Sequence, residues 1–113
     1  YDRYYSFGKK EPWNLPGAWA NPPATFNMST PINFVSTNDI IGGNSGSSVI
    51  NKNLQVVGLI FDGNIESLPG NIILEETKNR AVSVHSAGIL EGLEKIYRAD
   101  RIAKELRSGK IAP

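Results

Sequence analysis

Gly42-Gly43-Asn44-Ser45-Gly46-Ser47 sets a serine hydroxyl in a glycine-rich loop, a pattern suited to covalent catalysis. A serine hydroxyl attacks a carbonyl carbon when a base takes its proton and donors hold the oxyanion that forms. The glycines meet the second need. Without a Cβ at Gly43 and Gly46, the backbone turns tightly enough for N–H groups two residues apart to converge on one point. The donors would be the N–H groups of Gly43 and of Ser45 itself, and losing one such donor typically costs about 10²- to 10³-fold in turnover. An ordinary Gly/Ser/Asn turn between strands fits the same six residues. Context favours the chemical reading: a strand precedes the loop, and Val49-Ile50, a turn and the apolar run Val56 to Ile60 follow it.

The base is harder to find. In a triad with the chymotrypsin chain order, His, Asp, Ser, the base precedes the nucleophile. The single histidine, His85, follows it. It stands at the end of a predicted strand just before a helix, where a structural role is expected. Asp2, Glu11 and Asp39 are the acids before Ser45. Asp39 sits very near the serine in sequence and reads as a turn-forming carboxylate bonded to neighbouring N–H groups. A wall of the specificity pocket is the alternative for it. Asp62 closes the strand Val56 to Phe61, either as a hairpin-end aspartate or as a fixed anion facing the substrate. No metal is expected, because one histidine and scattered carboxylates lack ligand spacing. Asn27-Met28-Ser29 matches a glycosylation acceptor by a pattern too short to carry a role.

These residues must be positioned by short strands. Asn33 to Ser36, Ser48 to Ile50, Gln55 to Phe61, Ile72 to Leu74 and Ala81 to Val84 are β-branched or apolar runs broken by Asn and Gly, the texture of an all-β domain. Asn51-Lys52-Asn53 is expected to form a hairpin turn, since Asn tolerates positive φ. That turn would put Val49 and Val57 on paired strands. Residues 1–32 carry Pro12, Pro16, Pro22, Pro23 and Pro31 among their aromatics, which predicts an irregular arm pinned by those rings. After Val84 the period becomes helical: Ile89, Leu93, Ile96 and Tyr97 share a face that Ile102, Ala103 and Leu106 continue. Asp100 is the expected cap of a second helix and Gly109 its stop. The domain reading is an arm over 1–32 and a single domain over 33–113.

With 113 residues the chain can bury a core without metals or disulfides, and it has no cysteine for thiol chemistry. Twelve basic and 11 acidic residues give a net charge of +1. That leaves no electrostatic footprint for nucleic acid or an anionic membrane. No run approaches the roughly 18 apolar residues of a membrane span, and the first residues lack a signal-peptide layout. A start on Tyr1 suggests a fragment or a processed product.

Thr37-Asn38-Asp39-Ile40-Ile41-Gly42-Gly43-Asn44-Ser45-Gly46-Ser47, followed by Val57 to Ile65, resembles the nucleophile region of the bacterial dipeptidyl peptidases of the seven and eleven type. The likeness reaches back to Thr30–Ser36 and forward to Arg80–Val84, covering about residues 30–107. Its Phe61-Asp62-Gly63-Asn64 run is far more specific than the serine loop. Ser48 departs from the family, which usually has proline there. The staphylococcal-type glutamyl endopeptidases share the loop but lack that run, and they are the second candidate. A non-catalytic β-domain for peptide binding is the rival from another class.

The resemblance implies the second barrel of a trypsin-like double β-barrel, mainly β, with a C-terminal helical tail, in a serine peptidase that releases dipeptides from peptide N-termini. It implies Ser45 as nucleophile, with the catalytic His and Asp on an upstream barrel outside this chain, so the chain alone is expected to be inactive. It makes Asp62 the anchor for the substrate's amino group. It places Gly63 at the specificity pocket, where glycine accompanies large apolar or aromatic penultimate residues and arginine accompanies Asp or Glu. Physics agrees, since glycine neither fills the pocket nor pairs with a buried carboxylate. No cofactor is implied, the partner is a peptide substrate, and the setting is periplasmic or secreted. A barrel severed from its partner leaves an apolar patch, so self-association is expected.

Overall fold

The computed structural model describes residues 1–73 and 77–112. It divides into a sheet unit, Pro31–Ile89, and a helical unit made of Tyr1–Thr30 and Leu90–Pro113. In the sheet unit β1 (Asn33–Ser36), β2 (Ser48–Ile50), β3 (Val56–Gly63) and β4 (Ala81–His85) form one sheet of order β1-β4-β3-β2. Every neighbouring pair is antiparallel. The β-branched runs become strands because Val and Ile suit a pleated, half-buried surface. β1 and β2 fall on the expected bounds, while β3 begins one residue later than expected and runs on to Gly63. The sheet is open, with β1 and β2 at its edges, so the mainly-β reading fits in the form of a small antiparallel sheet with helices.

One face of the sheet is the buried one. Ser83 pairs with Phe34 on one side and Ile60 on the other, and Ile60, Ala81 and Ser83 are all buried. Val35, Val56 and Phe61 stay exposed. The β3–β4 register shifts between Ile60 and Asp62. Phe61 is the extra residue of a β-bulge, so Asp62, not Phe61, stands opposite Val82. Strict alternation would have put Asp62 on the buried face with Ile60. The bulge turns it to the other face, where it is exposed.

The sheet unit departs from two expectations. The β2–β3 hairpin forms, but the residue at positive φ is Leu54 (φ 61°), not an asparagine. Asn51 acts through its side chain instead: its Oδ1 accepts the N–H groups of Asn53 at 2.9 Å and Gln55 at 3.1 Å. Val49 and Val57 lie on paired strands as expected, with Gly58 the residue directly opposite Val49. The strand expected at Ile72 to Leu74 is also absent at its first two residues, and Leu74 lies outside the described residues. A 3₁₀ segment, Ile65–Asn71, precedes it, and the Pro69 carbonyl accepts the N–H groups of both Ile72 and Ile73 at 3.0 Å. Those donors are thereby held in a turn and cannot join a ladder.

In the helical unit the expected irregular arm contains two short helices, α1 (Asp2–Ser6) and α2 (Gly17–Ala20). The aromatics do pin it. Trp19 meets Phe26 and Tyr97 edge-on at 6.0 and 6.1 Å, and its Nε1–H donates to the Tyr97 hydroxyl at 2.9 Å. α3 (Ser86–Glu91), whose residues up to Ile89 belong to the sheet unit, leads into a π-type turn, Gly92–Ile96, and α4 (Asp100–Ser108) ends at Gly109 with φ 65°, the left-handed stop expected of glycine. Asp100 is the first helical residue and not the cap, which is Ala99. Its carboxylate there favours the helix through the positive end of the dipole. Ile96 and Ala103 are buried, whereas Ile102 and Leu106, expected on the same face, are exposed. Among the described residues no helix is long and apolar enough to cross a membrane.

Candidate active site

The loop from Gly42 to Ser47 joins β1 to β2, and its shape follows from three residue types. Asn44 closes it: its N–H donates to the Ile41 carbonyl at 3.1 Å and its Oδ1 accepts the Ile41 N–H at 2.9 Å. Gly43 and Gly46 take φ of 100° and 90°, which side-chain-bearing residues rarely adopt. The loop is stitched to β3 where Gly46 N–H donates to the Ile60 carbonyl at 2.7 Å and Ile60 N–H donates to the Ser47 carbonyl at 3.0 Å. The N–H groups of Asn44 and Gly46 are thus engaged, and that of Ser47 donates to the Asn44 carbonyl at 2.9 Å. Among the described residues nothing accepts those of Gly43 and Ser45.

Ser45 is exposed, and its Oγ–H donates to the carbonyl of Phe61 at 3.3 Å. That carbonyl belongs to the bulge residue of β3. No imidazole or carboxylate lies within hydrogen-bonding distance of this hydroxyl among the described residues. His85 pairs with Gly58, three residues down the strand from Phe61, which at 3.3 Å per residue is about 10 Å away. Its Nδ1 accepts the N–H of Ala87 at 3.0 Å at the start of α3, and its ring meets Phe34 edge-on at 5.6 Å. These contacts describe a structural histidine. Asp39 accepts the Ile40 N–H at 2.9 Å, the turn-forming bond expected of it.

A cavity of about 310 Å³ gathers Ser45, Asp62 and Gly63 with an apolar surround that includes Ile40, Phe61 and Leu68. Asp62 Oδ1 accepts the Gly63 N–H at 2.8 Å, and its other carboxylate oxygen has no partner among the described residues. Gly43 is not part of that lining, although it adjoins Gly42, which is. The four site residues expected from sequence therefore fall as three in one cavity and one beside it. No cluster of three or more potential metal ligands occurs among the described residues.

Two residues of the site escaped sequence reasoning. Asn64 fastens the end of β3: its Nδ2 donates to the Lys78 carbonyl at 2.8 Å and its Oδ1 accepts the Arg80 N–H at 2.9 Å. Ser67, on the 3₁₀ segment, lines the cavity and donates its hydroxyl to the Asn64 carbonyl at 2.6 Å. A Cβ at Gly63 would collide with the Ser67 hydroxyl. Only the Asn64 signal was available in the sequence, as part of the Phe61-Asp62-Gly63-Asn64 run.

The profile of the peptidase S46 family matches residues 1–108. Over 76 residues the chain is 43% identical to a dipeptidyl-peptidase 7 of Porphyromonas gingivalis, covering 67% of this chain and 11% of that one. It is 44% identical over 73 residues to a dipeptidyl-peptidase 7 of Porphyromonas endodontalis, covering 65% and 9%. It is 43% identical over 84 residues to an Asp/Glu-specific dipeptidyl-peptidase of Shewanella putrefaciens, covering 74% and 11%. The chain spans about a tenth of the length of these relatives.

Proposed function

The chain belongs to the peptidase S46 family, and from that premise we propose that it is the nucleophile-bearing part of a serine-type dipeptidyl peptidase with Ser45 as the attacking residue. The observation that carries this reading is the cavity that holds Ser45, Asp62 and Gly63 together. A dipeptide spans at most about 7 Å, so one cavity serves both its anchored amine and the bond to be cut.

In the proposed mechanism the substrate's ammonium group meets the free oxygen of Asp62. The Ser45 Oγ attacks the second carbonyl carbon, and its proton passes to a histidine on the upstream barrel of a trypsin-like pair, outside this chain. The N–H groups of Gly43 and Ser45 hold the oxyanion. The leaving amine takes the proton, and water then releases the dipeptide from Ser45. The apolar surround of Gly63 favours aliphatic and aromatic penultimate side chains, each worth about 1.5 to 3 kcal/mol on burial. An acidic side chain there would lose hydration beside Asp62 without gaining a partner. A periplasmic or secreted setting belongs to the same proposal.

The test uses the full-length protein. A fluorophosphonate probe should label Ser45, and Ser45→Ala should lower dipeptide release by about four to six orders of magnitude. Asp62→Asn should cut kcat/KM about 10- to 100-fold on peptides with a free N-terminus, the worth of a charge-assisted hydrogen bond. An acetylated peptide should be refused throughout. Equal cleavage of blocked and free peptides would sink the dipeptidyl assignment, and labelling that persists in Ser45→Ala would sink the nucleophile.

A further inference from the structure

Gly63 and Ser67 meet inside the candidate cavity. A Cβ built on Gly63 collides with Ser67 Oγ, stands 3.2 Å from Ile40 Cγ2, and lies at an ordinary 3.4 Å from Ser67 Cβ. The obstacle is therefore the hydroxyl alone, with a small adjustment needed from Ile40. The hydroxyl is not free to swing away, because it donates to the Asn64 carbonyl at 2.6 Å, and the Ser67 N–H donates to the same carbonyl at 3.0 Å. Asn64 is itself fixed by its bonds to Lys78 and Arg80. Gly63 has no left-handed backbone demand, so space is the only objection to a side chain there.

We infer that Ser67 is a specificity-determining residue. Its anchored hydroxyl occupies the volume left empty by Gly63 and so sets how deep a penultimate side chain can enter. The two positions form a size-coupled pair in which a side chain at 63 requires the loss of the hydroxyl at 67. This inference rests on the proposed peptidase reading of the cavity and adds to it the wall opposite Gly63. Removing the hydroxyl makes the wall both more apolar and farther back. A bulky apolar substrate side chain gains from that change, and a small one does not.

The experiment compares the full-length enzyme with Ser67→Ala, Gly63→Ala and the double variant. kcat and KM are measured separately on peptides that differ only in the residue before the scissile bond (Ala, Leu, Phe or Asp), each with a free and an acetylated N-terminus. Ser67→Ala is expected to lower KM for Phe relative to Ala by about three- to tenfold. Gly63→Ala is expected to raise KM for Leu and Phe at least about tenfold, and the double variant to recover most of that loss. An equal penalty for Gly63→Ala in both backgrounds would overturn the pairing. A change in kcat common to all four substrates would overturn the specificity role. If Gly63→Ala unfolds the enzyme, Ser67→Ala decides alone, and an unchanged Phe-to-Ala ratio counts against the inference. Cleavage of the acetylated peptides would defeat the dipeptidyl reading while leaving the dependence on residues 63 and 67 measurable on the same peptides.

Discussion

Two asparagine-led turns bracket β2 and solve the same geometric problem with opposite outcomes. In the hairpin turn, Asn51 collects the N–H groups of Asn53 and Gln55 on its own side chain, and Leu54 N–H donates to the Asn51 carbonyl. In the loop at Gly42 to Ser47, Asn44 uses its side chain on Ile41, and the amides of Gly43 and Ser45 are left without an acceptor among the described residues. The hairpin even tolerates a left-handed leucine, while the loop assigns its positive-φ positions to glycine. One turn consumes its donors to close a hairpin. The other uses two glycines on a shape that leaves two donors without an acceptor among the described residues, as the proposed oxyanion role requires.

The sharpest way to break that contrast is Gly43→Ala in the full-length enzyme. Nothing lies within 4 Å of a Cβ there, so only the φ of 100° opposes the change. It should lower kcat about 10²- to 10³-fold as the donor turns away. Unaltered single-turnover rates would mean the amides are idle. Asn44→Ala should act more mildly, with roughly a tenfold loss in kcat from a misplaced loop and about 1 kcal/mol of stability from the lost acceptor. A urea titration beside the kinetics would separate the two effects. The smallest change belongs to the other turn. Leu54→Gly relieves a left-handed residue that is 79% exposed and should add about 1 kcal/mol to stability with dipeptide release unchanged. A loss of stability there would mean that the leucine contributes packing.

What the sequence made legible was local. Ser45, Asp62 and Gly63 stand out through a short loop and a four-residue run, and β1, β2 and β4 stand out through their β-branched residues. What it hid was set by pairing across the chain. Nothing in Val56 to Gly63 announces that Phe61 is a bulge, since the extra residue is defined only against Ser83 and Val82. Ile72-Ile73 has the composition of a strand, yet the Pro69 carbonyl had already claimed its donors. Ser67 carries no motif at all, and its place at Gly63 arises from the turn that the 3₁₀ segment makes after Asn64. Asp100 offered the right chemistry one position too late for a cap.

The bulge also has a meaning during folding. If β3 and β4 zipped together without the slack residue, Phe61 would face Val82 and Asp62 would face Ala81, on the side that is almost fully buried. A bare carboxylate there would cost several kcal/mol. The charge thus penalises the misaligned ladder relative to the bulged one and acts as a mark on strand alignment. A neutral residue at position 62 would remove that mark, and the chain could then settle into a neighbouring register with Gly63 turned to the wrong side.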